Sequence, residues 1–228
     1  MLREPLPGSP IDRPRNLNEL AYQEIKSQII SGRLEGDVIY SAGQFAEMLS
    51  VSRSPVREAL LQLAAEGYLA LVDGRGFKIR QFSEKEIRDI FEMRGLIEAH
   101  AVKRFVDLMS HEDQEQLKHN LRLMNRWADE GNAVQLLEAD KEFHMIPVRR
   151  CNNHLLSSIM ENIRNYISIF GMKAISDKGR IHAVIDEHDR ILEALQKKDK
   201  MNVVRAVRHH LLTTQQYLLS GVGQSNGA

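Results

Sequence analysis

The sequence predicts a mainly α-helical protein in two parts, a small α/β head over residues 16–82 and an all-α bundle over residues 83–220. Three observations predict this. Apolar residues recur at spacings of three and four along most of the chain, which is the period of an amphipathic helix. One stretch breaks that period: YLALVDGRGFKIRQF, residues 68–82, is apolar and β-branched on both sides of Asp73-Gly74-Arg75-Gly76 and reads as a hairpin. All nine histidines lie at or after His100, so the two parts carry different chemistry.

Taken in order, residues 1–15 hold Pro5, Pro7 and Pro10 and no apolar core, and read as a disordered tail rather than a targeting signal. A first helix fits 17–31, with Leu20, Ile25, Ile29 and Ile30 in helical spacing; Gly32 and Gly36 stop it. A second fits 42–49, with a turn at 50–52. The third is expected to begin after Ser54 as N-cap, with Pro55 at its first position, where a missing N–H costs nothing. It ends at Gly67, and Leu60, Leu61, Leu63 and Ala64 form its buried face. The hairpin follows. Helix, helix, turn, helix and a small β-hairpin wing is the winged helix-turn-helix plan. Ser83 with Glu86 makes a capping box. Helices then fit 84–109, 111–130, 133–150, 154–175, 179–198 and 200–220, with breaks near Ser110, Gly131, 152–153, 177–179 and Asp199. Residues 221–228 read as a flexible tail.

Composition bounds the function. Apolar residues make up 43 % of the 228, enough for a buried core. Basic and acidic residues balance at 31 each; ten of each fall in residues 1–82, leaving 21 of each. Total charge therefore argues neither for nor against nucleic acid. Local charge does: residues 53–80 hold five basic and three acidic groups. The one cysteine, Cys151, excludes an intramolecular disulfide and fits a cytoplasmic protein; it reads as inert. No apolar run approaches the ~18 residues of a membrane span.

Helix N-termini point backbone N–H groups outward and favour phosphate. In a helix-turn-helix the start of the second helix of the motif enters the major groove. Arg53 is expected just before that turn and Arg57 within it, each able to fork onto a guanine edge or a phosphate. Two solvated surface arginines are the plain alternative. The hairpin shifts the balance, because Gly74, Arg75, Gly76, Lys78 and Arg80 make a compact basic tip. The segments LNELAYQEIKSQIISGRLEGD, VSRSPVREALLQLAAEGYL and GRGFKI resemble the N-terminal domain of GntR-family transcription regulators, and residues 83–220 are similar to the FCD ligand-binding domain of the FadR subfamily. The resemblance implies that Arg53, Arg57 and Gly76 contact operator DNA with Ser52 and Ser54 beside them. Pro55 and Arg75 complete the expected DNA-binding set. Gly43 is a departure: many relatives carry a charged or basic residue there, so a phosphate contact is expected to be lost.

In the bundle, EADKEFHMI places Asp140 and His144 at i and i+4 on one helix face. His188 falls in the apolar stripe Ile181, Val184, Ile185, Ile191, Leu192 and Leu195. His210 continues the inner row Val203, Ala206 and Val207. Each is 11 residues from Asp199, so a helical hairpin about Asp199 brings them side by side. Satisfied core histidines would explain any one of these. The set of four also matches the Asp-x3-His, His, His pattern of metal-binding FCD domains. It suits a divalent ion, zinc first, with nickel, manganese or iron as alternatives. His209 is expected to be exposed, and His100, His111, His119, His154 and His182 to lie at the surface or at element boundaries. Arg94 and Glu98 share the stripe of Ile87, Ile90, Phe91, Ala101 and Phe105. They read either as a buried ion pair or, for Arg94, as a grip for an effector carboxylate.

These features point to a regulator, not an enzyme. It would be a homodimer reading a near-palindromic operator in double-stranded DNA, its affinity changed by a small-molecule effector, expected to be a carboxylate, bound at or near the metal. A metal-dependent, hydrolase-like enzyme fused to a DNA-binding head, and a regulator whose metal is purely structural, are the competing readings.

Overall fold

The computed structural model describes residues 17–171 and 178–222. The expected N-terminal tail, the end of the helix placed at 154–175, and the last residues of the C-terminal tail lie outside the described residues. The head is built from α1 (Leu17–Ile30), β1 (Ile39–Tyr40), α2 (Ala42–Leu49), α3 (Arg53–Ala65), β2 (Leu69–Val72) and β3 (Gly76–Ile79). Ala21, Tyr22, Ile25, Ile29 and Ile30 of α1 pack on Val56, Ala59, Leu60 and Leu63 of α3 and on Phe45 of α2. Leu20 and Leu61, expected inside, are 57 % and 43 % exposed; each lies about 100° round its helix from the buried row.

Two boundaries in the head differ from expectation. α3 starts two residues earlier than its sequence suggests, with Ser52 at the N-cap and Pro55 in the third helical position. Proline is tolerated there because the first N–H groups of a helix have no intrahelical partner. Arg53 is thus the first helical residue rather than a residue before the turn, and Arg57 follows in the next turn. The wing is also more than a hairpin. β1, too short for any periodicity to reveal, pairs antiparallel with β3 in the register Ile39↔Lys78 and Tyr40↔Phe77, and β3 pairs with β2.

The bundle comprises α4 (Glu84–Leu108), α5 (His111–Asp129), α6 (Ala133–Arg150), α7 (His154–Phe170), α8 (Lys178–Gln196) and α9 (Lys200–Val222). Polar caps set the starts of α4, α5, α6, α7 and α9, each worth ~1 kcal/mol. Ser83 and Glu86 form the expected capping box, and Ser110 with Asp113 forms another. Asn132 and Asn153 accept from the N–H groups of Gln135 and Leu156. Asp199 Oδ1 accepts from Met201 and Asn202, as the hairpin reading of α8 and α9 requires. α9 continues through Val222, into residues read as tail. α4 packs on α6 and α9, α5 on α6 and α8, and α7 on α6, α4 and α1 of the head. The inward faces of α4, α6, α8 and α9 therefore converge.

Candidate nucleic-acid interface and metal centre

At the head, Ser52, Arg53, Ser54 and Arg57 are exposed at the start of α3, and Arg75 is exposed at the wing tip. Among the described residues no ion pair engages Arg53, Arg57 or Arg75. Ser52 makes no side-chain capping bond, so the first N–H groups of α3 remain open to an anion. The Arg53 guanidinium lies over Gly43: a Cβ there would be 3.5 Å from Nε and Nη2. A methyl group at 43 would meet the guanidinium at ordinary van der Waals distance. At Gly76 the backbone itself requires glycine. Its φ is +135°, and a Cβ would stand 2.3 Å from the Tyr40 carbonyl oxygen of β1.

In the bundle, Asp140 and His144 of α6, His188 of α8 and His210 of α9 come together, with one ligand atom from each inside a set spanning no more than 4.8 Å. His188 Nε2 lies 3.1 Å from His144 Nε2 and 3.1 Å from Asp140 Oδ1. Every Nδ1 is engaged on the outer side. That of His144 meets Glu98 Oε2 at 2.7 Å, that of His188 the Val184 carbonyl at 2.7 Å, and that of His210 Glu187 Oε2 at 2.8 Å. A carbonyl and two carboxylates only accept, so each Nδ1 carries the hydrogen and each Nε2 presents a lone pair. Lone pairs and a carboxylate facing one another at 3.1 Å repel unless a cation lies among them. Ligands at right angles on an ion with ~2.1 Å bonds would be about 3.0 Å apart. The donor set therefore fits a divalent ion.

Burial and neighbours tune these groups. Burial, with Glu98 opposing it, holds His144 down to about 4; burial and His188 hold His210 down to about 3. Both imidazoles are neutral near pH 7, as ligands must be. Burial raises Glu98, yet Arg94 and His144 overcome it and keep the carboxyl ionised; Glu187, against the same burial, is held down to about 2 by His210 and Arg180. Asp140 is likewise held well below the carboxylate range, chiefly by Arg164 against burial.

Arg94 forms the buried ion pair that was one of its two expected readings. Its Nε donates to Glu98 Oε1 at 2.7 Å, a buried ion pair, while Nη2 is buried without a partner. It lines a cavity of about 30 Å³ together with Asp140, His210 and Thr214. Sequence reasoning missed Glu187, Arg164 and Arg180 as parts of the centre. Arg180 forks onto Glu187 at 2.7 and 3.1 Å, and Arg164 Nη2 donates to Asp140 Oδ2. The available signal was Arg164 at i+4 from Met160, a charge on a buried stripe. His100, His111, His119, His154, His182 and His209 are exposed, as expected. Cys151 is buried, its thiol raised by burial, with Sγ 3.4 Å from the Pro147 carbonyl.

Residues 17–79 match the model of the bacterial regulatory proteins of the gntR family, and residues 89–213 match the FCD domain. The chain is 26 % identical over 203 residues to the HTH-type transcriptional regulator YdhC of Bacillus subtilis, covering 89 % of each. It is 26 % identical over 200 residues to the HTH-type transcriptional repressor GlaR of Escherichia coli, covering 84 % of this chain and 91 % of that one. Its fold is that of Escherichia coli McbR/YncC, with a TM-score of 0.76 over 90 % of this chain and 98 % of the other at 21 % identity. With an open, arginine-bearing helix start in the head and a converging donor set in the bundle, the chain belongs to the GntR family of DNA-binding transcription regulators, with a C-terminal FCD effector-binding domain.

Proposed function

We propose that the protein acts in the cytoplasm as a homodimer on a near-palindromic operator, and that a small carboxylate, bound beside a divalent metal in the bundle, changes its affinity for that DNA. Asp140, His144, His188 and His210 would hold the metal, zinc first, with nickel, manganese or iron as alternatives. The observation that carries this reading is the convergence of Nε2 lone pairs and a carboxylate with every Nδ1 already spent. A bound dication would neutralise that convergence and add positive charge to the cavity. Arg94, with a buried donor lacking a partner, supports a carboxylate as effector, since such a donor costs ~1–3 kcal/mol until it finds an acceptor. In the head, Ser52, Arg53, Ser54, Pro55, Arg57, Arg75 and Gly76 would form the DNA surface. Two heads on one dimer would read two half-sites.

One observation favours a purely structural metal: the cavity holds about 30 Å³, the room of a water molecule rather than of an acid. An effector must then open it. The metal is tested by elemental analysis of protein reconstituted with zinc, nickel or manganese. Wild type should hold about one ion per chain, and His188→Ala and His210→Ala should hold far less. Equal content in both variants, or little in wild type, would sink the site. Zinc at ~100 times its Kd should add about 2.7 kcal/mol and raise Tm by roughly 5–10 °C. Further Tm rises with small carboxylates, lost in Arg94→Ala, would separate a sensing site from a structural one.

A further inference from the structure

Three consecutive residues of α7 connect the metal centre to the head. Arg164 is buried and donates to Asp140 Oδ2, while its Nε and Nη1 have no partner. Asn165, also buried, turns the other way. Its Oδ1 accepts from the Tyr68 hydroxyl at 3.1 Å and from Lys141 Nζ at 3.1 Å, and its Nδ2 points at the Glu66 carbonyl at 3.4 Å. Tyr166 lies so close to Gly67 that a Cβ there would be 2.3 Å from its ring. Its ring centroid is 5.4 Å from that of Phe82, and the Arg80 guanidinium sits 4.4 Å above it. Glu66, Gly67 and Tyr68 are the C-cap of α3 and the turn that leads from it into the wing. On α6, Asp140 and Lys141 repeat the pattern: each meets a partner 24 residues on, the first Arg164 at the metal centre and the second Asn165, which faces the head.

We infer that residues 164–166 of α7 are a relay that reports the state of the Asp140 site to the DNA-reading helix, through the Asn165–Tyr68 hydrogen bond and the Tyr166–Gly67 contact. This rests on the metal reading above. Asp140 is shared, with Oδ2 on Arg164 and Oδ1 toward His188. A dication at Oδ1 competes with Arg164 for one carboxylate and repels its guanidinium. Arg164, buried and held in the centre through Nη2 alone with Nε and Nη1 unpaired, is the group that gives way. Close-packed interiors pass such a shift on rather than absorb it. The next two residues ride on the same backbone and grip the far end of the helix that carries Arg53 and Arg57. Burial holds the Tyr68 phenol well above its usual range, so its hydroxyl remains a donor throughout.

A merely cohesive contact would also produce these distances, so the test is one of linkage. Full-length protein selects its duplex from a random pool. Operator affinity is measured by anisotropy with chelator and with saturating zinc, and zinc affinity with and without that duplex. In wild type, zinc should change operator affinity by roughly 5- to 150-fold, and the duplex should change zinc affinity by the same factor, as coupled equilibria require. Asn165→Ala and Tyr68→Phe should bring both factors close to one while zinc affinity of the free protein stays near wild type. Tyr68→Phe removes one oxygen and keeps the ring, so it guards against a failure of Asn165→Ala to fold. Variants that respond like wild type overturn the relay, and so do variants that lose zinc binding. Wild type that binds zinc with no effect on DNA overturns the relay and leaves the metal reading standing; wild type that binds no zinc overturns both.

Discussion

Arg53 and Arg57 stand on the outer face of a helix whose inner face, Val56, Ala59, Leu60 and Leu63, is fully buried. Replacing either with Ala should therefore leave the fold intact and cost roughly 1–3 kcal/mol of operator affinity, about 5- to 150-fold. Gel-shift titration at fixed salt, with circular dichroism as control, checks this; unchanged affinity in both variants removes them from the interface. Gly76 behaves differently. Gly76→Ala presses a methyl group on the Tyr40 carbonyl at a positive φ, so it should destabilise the head by ~1–3 kcal/mol. A lower denaturation midpoint is the readout. If stability is unchanged, the β1 approach does not constrain that position. At the residue scale the sequence was legible where spacing set the face: Asp140 with His144 by one helical turn, His188 with His210 by their equal distance from Asp199. Glu187 and Arg164 were not, because what they do depends on which helix lies opposite, and no local period encodes that.

Among the elements, α6 and α9 carry a titration that reaches the whole bundle. Burial keeps His144 neutral down to about 4 and His210 down to about 3, whereas an unfolded chain takes up those protons near 6.5. Below 6.5 the unfolded chain binds more protons, so acid favours unfolding. The carboxyl groups of Glu98 and Glu187, depressed in the fold, add to the loss once pH drops below 4.5. Metal-free protein should show a level Tm above pH 6.5, a decline between 6.5 and 4.5, and a steeper one below. A flat profile down to 4.5 would mean that these histidines are already charged in the fold. Element boundaries were legible where side chains cap helices, at Ser83, Ser110 and Asp199. They failed at α3, because Ser52 and Ser54 are equally good caps on paper and Pro55 is compatible with either. β1 went unseen because two residues carry no alternation; its pairing with β3 exists only once α1 and α2 have brought it there.

On the scale of the molecule, the two parts share a packed boundary, and the proposed homodimer is expected to form through the bundle. Residues 83–228 alone should run as a dimer by light scattering at micromolar concentration; a monomer there would move dimerisation to the head. Removing the head exposes Asn165 and Tyr166, so reduced solubility of that fragment is expected, with helical content retained. The fold class, a small sheet after the first helices and then a helical bundle, was legible from the change of period at residues 68–82. The contact between head and bundle was not, because Tyr68, Asn165 and Tyr166 read as ordinary members of their own segments.

Cys151 offers a practical return. The chain has one thiol, and it is buried between α6 and its neighbours with its ionisation suppressed. It should stay silent to maleimides in the native state. A single cysteine introduced on an exposed wing position such as Ala70 would then carry a spin label or fluorophore without prior removal of the native one. In a dimer, one label per chain yields one distance, the separation of the two wings, and that distance can be followed as metal and candidate acids are added in turn.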